Sequence, residues 1–340
     1  MNILIKFKTL SFYKFFLLYF IKPVYEFIWQ YIINFQGKIL YFLWFVKKRQ
    51  FINLENNDKK FINDNEKFKI LANKIYNYCS SNIIETSKKE LLSGEVIKGN
   101  PTNSGKVKYN QVIFDRLTPE LQKEIFELAH SELLITTAAK YLKVFPILDK
   151  LIVYHNIPNK PDQVRGAMLW HKDDFGYKSL DLFMAITDMD EQNGPLKVIK
   201  SKNKLGVFSK SNEENKQENK MGERGKISTD HFEKLNSKNI LSLKGEKGTG
   251  LLIDSFTVYH RGGHCLTKDR LMLRFSYQTP DSIRVPPFKT SYSEEFNKLK
   301  KSFSLNFFLN YLYEKRPSKF MIFIRNFLIK FYRFAHIKEN

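Results

Sequence analysis

Residues 250–277 read GLLIDSFTVYHRGGHCLTKDRLMLRFSY. Two apolar runs of strand length, Gly250–Asp254 and Leu271–Tyr277, flank a stretch punctuated by Gly262–Gly263. Runs of the same kind lie upstream at Leu151–His155, Val164–His171, Leu180–Thr187 and Leu196–Lys200, and a further one, Thr257–His260, lies within the quoted stretch. Turn residues separate them, from Asn156 to Pro161 and at Asn193-Gly194-Pro195. Many short strands joined by polar turns predict an antiparallel sandwich or barrel. Before these runs the spacing predicts helices over 67–79 and about 118–143, the second opened by Thr118 as cap with Pro119 in the first turn. The expectation is a mainly β domain with flanking helices.

Within that frame, Trp170-His171-Lys172-Asp173 is the first candidate for chemistry. Residues two apart on a strand share a face, so His171 and Asp173 can look into one interior. A neutral imidazole and an ionised carboxylate are two members of the set that binds non-haem Fe(II). The pair alone is weak, since roughly 0.3 such pairs arise by chance in a chain of this composition. The downstream run strengthens it. If His260 ends one strand and Arg270 opens its antiparallel neighbour, both can point into one barrel. Three protein ligands leave three iron positions, enough for a chelating 2-oxo acid and O2. A guanidinium at Arg270 could grip a carboxylate in bidentate fashion. Arg274 shares strand parity with Arg270, and only the spacing from His260 favours Arg270. Asp174 points away from Asp173 and reads as a solvated carboxylate. His264 and Cys265 read as loop residues, His130 and His155 as structural, and Trp170 as core.

Taken in order, WHKD, NGPLKVI at Asn193–Ile199, GTGLLID, HRGG and Arg270 resemble the phytanoyl-CoA dioxygenase family over about residues 145–280. The resemblance implies a double-stranded β-helix (jelly-roll, cupin-like) core and dependence on Fe(II), 2-oxoglutarate and O2. It implies His171, Asp173 and His260 as iron ligands, and Arg270 as the residue that binds the distal carboxylate of 2-oxoglutarate. It implies hydroxylation of an unactivated C–H bond, with 2-oxoglutarate decarboxylated to succinate. Two positions depart from the family pattern. Lys200-Ser201-Lys202-Asn203 replaces a Pro-Gly-Ser-His run, and Met272 stands where related oxygenases often place a hydroxyl. The alternative is a non-catalytic, membrane-bound binding protein on the same fold, which would lack a ligand.

Charge divides the chain further. The 340 residues carry 56 Lys+Arg against 35 Asp+Glu, a net +21. Residues 1–50 hold eight of the cations and one acid, and 297–340 hold ten and two, so +15 lies in the ends. Residues 25–45 are almost wholly apolar, broken every four residues by Glu26, Gln30, Asn34 and Lys38. That pattern fits a helix lying in a membrane interface better than one spanning it. Phe320, Phe323, Ile324, Phe327, Leu328, Phe331 and Phe334 form one face of a second basic amphipathic helix. Aromatics that share a face with Ile and Leu do not suit nucleic acid. Two cysteines exclude a disulfide scaffold and fit a reducing compartment.

The expected organisation is a basic N-terminal segment 1–50, a linker with helices over 51–104, the oxygenase domain 105–290 and C-terminal helices 291–340. A low-complexity insertion, 207–247, reads as a lid. The expected location is cytoplasmic, peripheral to an anionic membrane surface, with a small-molecule substrate of lipid-like, lipid-linked or acidic character.

Overall fold

The structure is a computed structural model. It describes residues 34–35, 37–45, 51–52, 54, 59–62, 65–93, 110–158, 166–173, 178–199, 233 and 237–280. The C-terminal helix expected over 320–334, Asp174, Lys200–Asn203 and most of the 207–247 insertion lie outside these residues.

Nine strands form two antiparallel sheets among the described residues. The larger sheet has six strands in the order β1 (Lys59–Ile62), β7 (Gly250–Ile253), β4 (Ser179–Ala185), β9 (Arg270–Gln278), β3 (Ile147–Asn156) and β2 (Asn110–Val112). The smaller has the order β6 (Ile240–Ser242), β5 (Lys197–Ile199) and β8 (His260–Arg261). All residues of β4, β7 and β9 are buried, apolar on the face toward the helices and mixed with buried polar and charged side chains on the face toward the small sheet. One face carries Leu151, Val153, Leu180, Leu182, Leu271, Leu273, Phe275 and Tyr277 against the helices. The other joins Phe183, Ala185, Leu251, Ile253 and Met272 to Leu196 and Val198 of the small sheet. This is a jelly-roll core with its site between the sheets.

Helices α1 (Glu66–Asn82), α2 (Ile84–Ser93), α3 (Pro119–Ala129) and α4 (Glu132–Leu142) flank the large sheet. Thr118 caps α3, its hydroxyl accepting from Leu121 N at 3.3 Å, with Pro119 in the first turn. The single helix expected over 118–143 is broken at His130–Ser131, where Ser131 becomes the cap residue of α4.

Three expectations about strands are corrected. Residues 166–171, the described part of the strand expected over Val164–His171, do not form one. Residues Gly166–Met168 make a 3-10 turn, and only an isolated bridge joins His171 to His260. Lys59–Ile62, inside the polar stretch that reads as linker, pairs with the outer edge of β7 in register Lys59↔Ile253. The strands carrying His260 and Arg270 are not neighbours: β8 pairs with β5, whereas β9 pairs with β3 and β4. The 262–269 connection therefore crosses between sheets, so the two residues approach the site from opposite walls. Among the described residues, no helix is long and apolar enough to cross a membrane.

Candidate active site

His171 and His260 are brought together by backbone. Each donates its N–H to the other's carbonyl, at 3.0 and 2.9 Å, which sets the two imidazoles side by side with ring centroids 4.4 Å apart. The Nδ1 of His171 lies 2.7 Å from Leu169 O, and that of His260 3.1 Å from Val258 O. A backbone carbonyl only accepts, so each Nδ1 carries the proton and each Nε2 keeps its lone pair. Burial also pushes the His260 pKa down, outweighing the pull of Asp173, which favours the neutral ligand form.

Asp173 arrives by a different device from strand parity. Its N–H bonds Ser255 O at 2.9 Å, in a turn that Asp254 builds. The buried Asp254 carboxylate accepts from Phe256 N, Ser179 N and the Tyr141 hydroxyl, the last at 2.8 Å. Asp173 Oδ1 then faces His171 Nε2 at 3.7 Å and His260 Nε2 at 4.0 Å. Its Oδ2 is held by Arg274 Nη2 at 2.7 Å, with Lys150 Nζ at 3.7 Å. Burial would raise this carboxyl's pKa, but Arg274, Lys150 and His260 together hold it well below the usual range. One ligand atom from each of the three residues lies within 4.8 Å of the other two. Two imidazole nitrogens and one ionised carboxylate oxygen converge on one point, and this donor set fits a divalent iron.

The two arginines have opposite surroundings. Arg274 Nη2 also bonds Asp181 Oδ2 at 2.7 Å, so its charge is met by two buried carboxylates. Arg270, 5% exposed, meets neutral acceptors only. Its Nε donates to Asn156 Oδ1 at 3.3 Å, and its Nη1 to Gly263 O at 3.3 Å and to Gly194 O. Among the described residues no carboxylate pairs with Arg270, and no partner meets its Nη2. A Cβ on Gly262 would sit 3.4 Å from that nitrogen, so the glycine leaves room beside it. The turn at Gly194 (φ +61°) packs backbone on backbone against Gly263, where a Cβ on either would lie 2.4 Å from the opposite main chain. Arg270 thus ties two loops together while keeping one edge of its guanidinium open.

Sequence reading missed Lys150, Asn156 and Asp181. The available signal was a charged or amide residue at the inward parity of an otherwise apolar strand, as in DKLIVYHN and SLDLFMA. Met272 packs in the core between the sheets. Cys265 is buried, its thiol 3.2 Å from Asn193 O, and His130 and His155 are buried away from the site, His155 against Ser87 at 2.7 Å.

A jelly-roll whose two walls bring two histidines and an aspartate to one point, with a buried arginine beside them, has the architecture of the Fe(II)- and 2-oxoglutarate-dependent oxygenases. The sequence profile of the Phytanoyl-CoA dioxygenase (PhyH) family matches residues 57–272. The chain belongs to that family, and it is a 2-oxoglutarate-dependent dioxygenase whose cofactors are Fe(II), 2-oxoglutarate and O2.

No curated protein matches the chain in sequence. Among solved structures, AviO1 from Streptomyces viridochromogenes Tue57 is 14% identical, with 66% of this chain and 92% of that chain covered, at a TM-score of 0.40. EctD from S. alaskensis with 2-oxoglutarate and 5-hydroxyectoine is 14% identical, with 66% and 73% covered, at 0.40. HygX from Streptomyces hygroscopicus with nickel and 2-oxoglutarate is 11% identical, with 66% and 84% covered, at 0.42.

Proposed function

We propose that this oxygenase hydroxylates an unactivated C–H bond of a lipid-like or acidic small molecule, working at the periphery of a membrane. In this reading His171, Asp173 and His260 hold the iron, and Arg270 binds the distal carboxylate of 2-oxoglutarate. When bound, iron with 2-oxoglutarate and O2 supplies the oxidising power that inserts one oxygen atom into the substrate and leaves the other in succinate. The protein's residues supply geometry. The carbonyls of Leu169 and Val258 fix both tautomers so that each Nε2 faces the metal position. Arg274 occupies Oδ2 of Asp173, which presents Oδ1 alone toward the imidazoles. The apolar packing of Phe183, Leu251, Ile253 and Met272 excludes water from the wall behind the site.

The observation that carries the assignment of Arg270 is its uncompensated charge. A buried cation that meets only neutral acceptors is costly, and an incoming carboxylate relieves that cost. Arg274, neutralised by Asp173 and Asp181, has no such demand. The presence of Asp173 supports hydroxylation, and the basic ends of the chain support an acidic or lipid-linked substrate beside an anionic membrane. The test is succinate formation and 2-oxoglutarate binding by purified protein with Fe(II) and O2. Arg270→Ala is expected to weaken 2-oxoglutarate binding by about 2–5 kcal/mol, the cost of truncating one partner of a buried charge pair. Unchanged binding by Arg270→Ala would move the clamp elsewhere.

A further inference from the structure

The described residues expose eight large hydrophobic side chains to solvent, and four of them lie between positions 35 and 43. Phe35 is 53% exposed, Ile39 46%, Phe42 72% and Leu43 48%. The other four, Ile70, Leu92, Val112 and Leu266, sit on separate elements. Residues 37–45 are helical, and at 3.6 residues per turn the four exposed side chains fall within about 100° of the helix circumference. The opposite face is anchored. Leu40 and Trp44 are buried in the main core, and Trp44 Nε1 donates to Thr136 Oγ1 at 3.0 Å. The Trp44 ring meets Phe145 edge-on at 5.3 Å, and Phe145 N donates to Gly37 O at 3.0 Å. The apolar plate is therefore anchored to the domain, and it gathers four adjacent side chains where the other exposed apolar residues stand singly.

We propose that this face is the docking surface by which the protein rests on an anionic lipid bilayer. The proposal rests on the peripheral-membrane reading above and names the residues that enter the interface. Charge selects the occupant. Lys38 is exposed on the same helix, Lys47, Lys48 and Arg49 follow in sequence, and residues 1–50 carry eight cations against one acid. A plate of Phe, Ile and Leu with Lys38 on the same helix, in a strongly basic stretch of sequence, matches an interface of acyl chains beneath anionic headgroups. A second copy of the same chain, at net +21, would bring like charges together around the plate.

The test is flotation of full-length protein with phosphatidylcholine vesicles, with and without phosphatidylserine. Wild type is expected to float with the phosphatidylserine vesicles. Ile39→Asp/Phe42→Asp is expected to lose about tenfold or more in partitioning, because charge replaces two inserted side chains. Ile70→Asp, on an exposed apolar side chain of α1, should partition as wild type, and all three proteins should share one melting temperature. In Phe42→Trp, tryptophan emission should shift to the blue on adding phosphatidylserine vesicles. If the double variant floats like wild type, or Phe42→Trp shows no shift, the plate is not the docking surface although the membrane reading stands. Wild type that stays at the bottom with both vesicles overturns both. So does a dimer in sedimentation that Phe42→Asp dissolves without any flotation.

Discussion

Replacing Arg274 with Met removes the cation that one nitrogen shares between Asp173 and Asp181, each at 2.7 Å. The three side chains are 10%, 9% and 0% exposed, so water cannot take over the lost contacts. Lys150, at 3.7 Å from Asp173, remains as one cation against two carboxylates. Breaking a buried pair by removing one partner costs about 3–5 kcal/mol, and this change leaves two partners behind. The expected loss in a urea melt at neutral pH is therefore at least the upper part of that range. The pH dependence has a definite sign. Asp173 titrates far lower in the folded chain than the roughly 3.9 of an unfolded aspartate, so its contribution is full above that value and is lost as pH falls through the folded one. Without Arg274, burial should raise the Asp173 carboxyl's pKa, so the gap between wild type and Arg274→Met should be widest at neutral pH and narrow as acid protonates the variant's stranded carboxylate. Adding Asp181→Leu should restore part of the loss, with a coupling of about 1 kcal/mol or more. A melt of Arg274→Met within about 0.5 kcal/mol of wild type would falsify the picture of a buried charge triad.

Three further outcomes follow from the same geometry. His171→Ala, Asp173→Ala and His260→Ala should each lower Mn(II) affinity by more than about a hundredfold in calorimetry while keeping the wild-type circular dichroism; retained binding in any one removes that residue from the ligand set. Gly194→Ala puts a Cβ 2.4 Å from the His264 main chain at φ +61°, so it should destabilise by about 3 kcal/mol or more, and an unchanged melting temperature would contradict the close packing of the two loops. His130 is buried against Phe126, and burial brings its pKa down to about 4. Because the folded chain resists protonating it, stability should fall by roughly 3 kcal/mol as pH drops from about 6.5 to 4. A His130→Phe chain whose stability falls just as steeply over that window would show that another group is responsible.

The candidate metal site was legible because metal chemistry restricts residue type, and the order of motifs narrowed the candidates to His171, Asp173 and His260, which the fold brings together. Their mode of assembly was not. An alternating run suggests strand parity, yet His171 and Asp173 meet through a bridge and a turn whose hydrogen bonds come from residues 255 and 260. Sheet membership was hidden for a related reason: ten residues between His260 and Arg270 are compatible with a hairpin or with a crossing between sheets. Parity could not separate Arg270 from Arg274, since both face inward on β9. What separates them is the charge of their neighbours, and Asp181 lies about 90 residues away in sequence. Lys59–Ile62 escaped notice because two lysines in four residues give no alternation, and its place is fixed by the backbone of a distant strand.

That short strand has a consequence for the rest of the sheet. β1 lies about 190 residues before the strand it covers, so the outer edge of β7 closes only after nearly the whole core has been synthesised. β7 reads Gly-Leu-Leu-Ile and is buried along its length, and an uncovered row of backbone donors and acceptors on such a strand is a template for pairing with another chain. A stretch with the composition of a spacer acts here as a guard against intermolecular strand addition. Shortening the chain past Ile62 would replace a four-residue edge that begins with two lysines by an apolar, adhesive one.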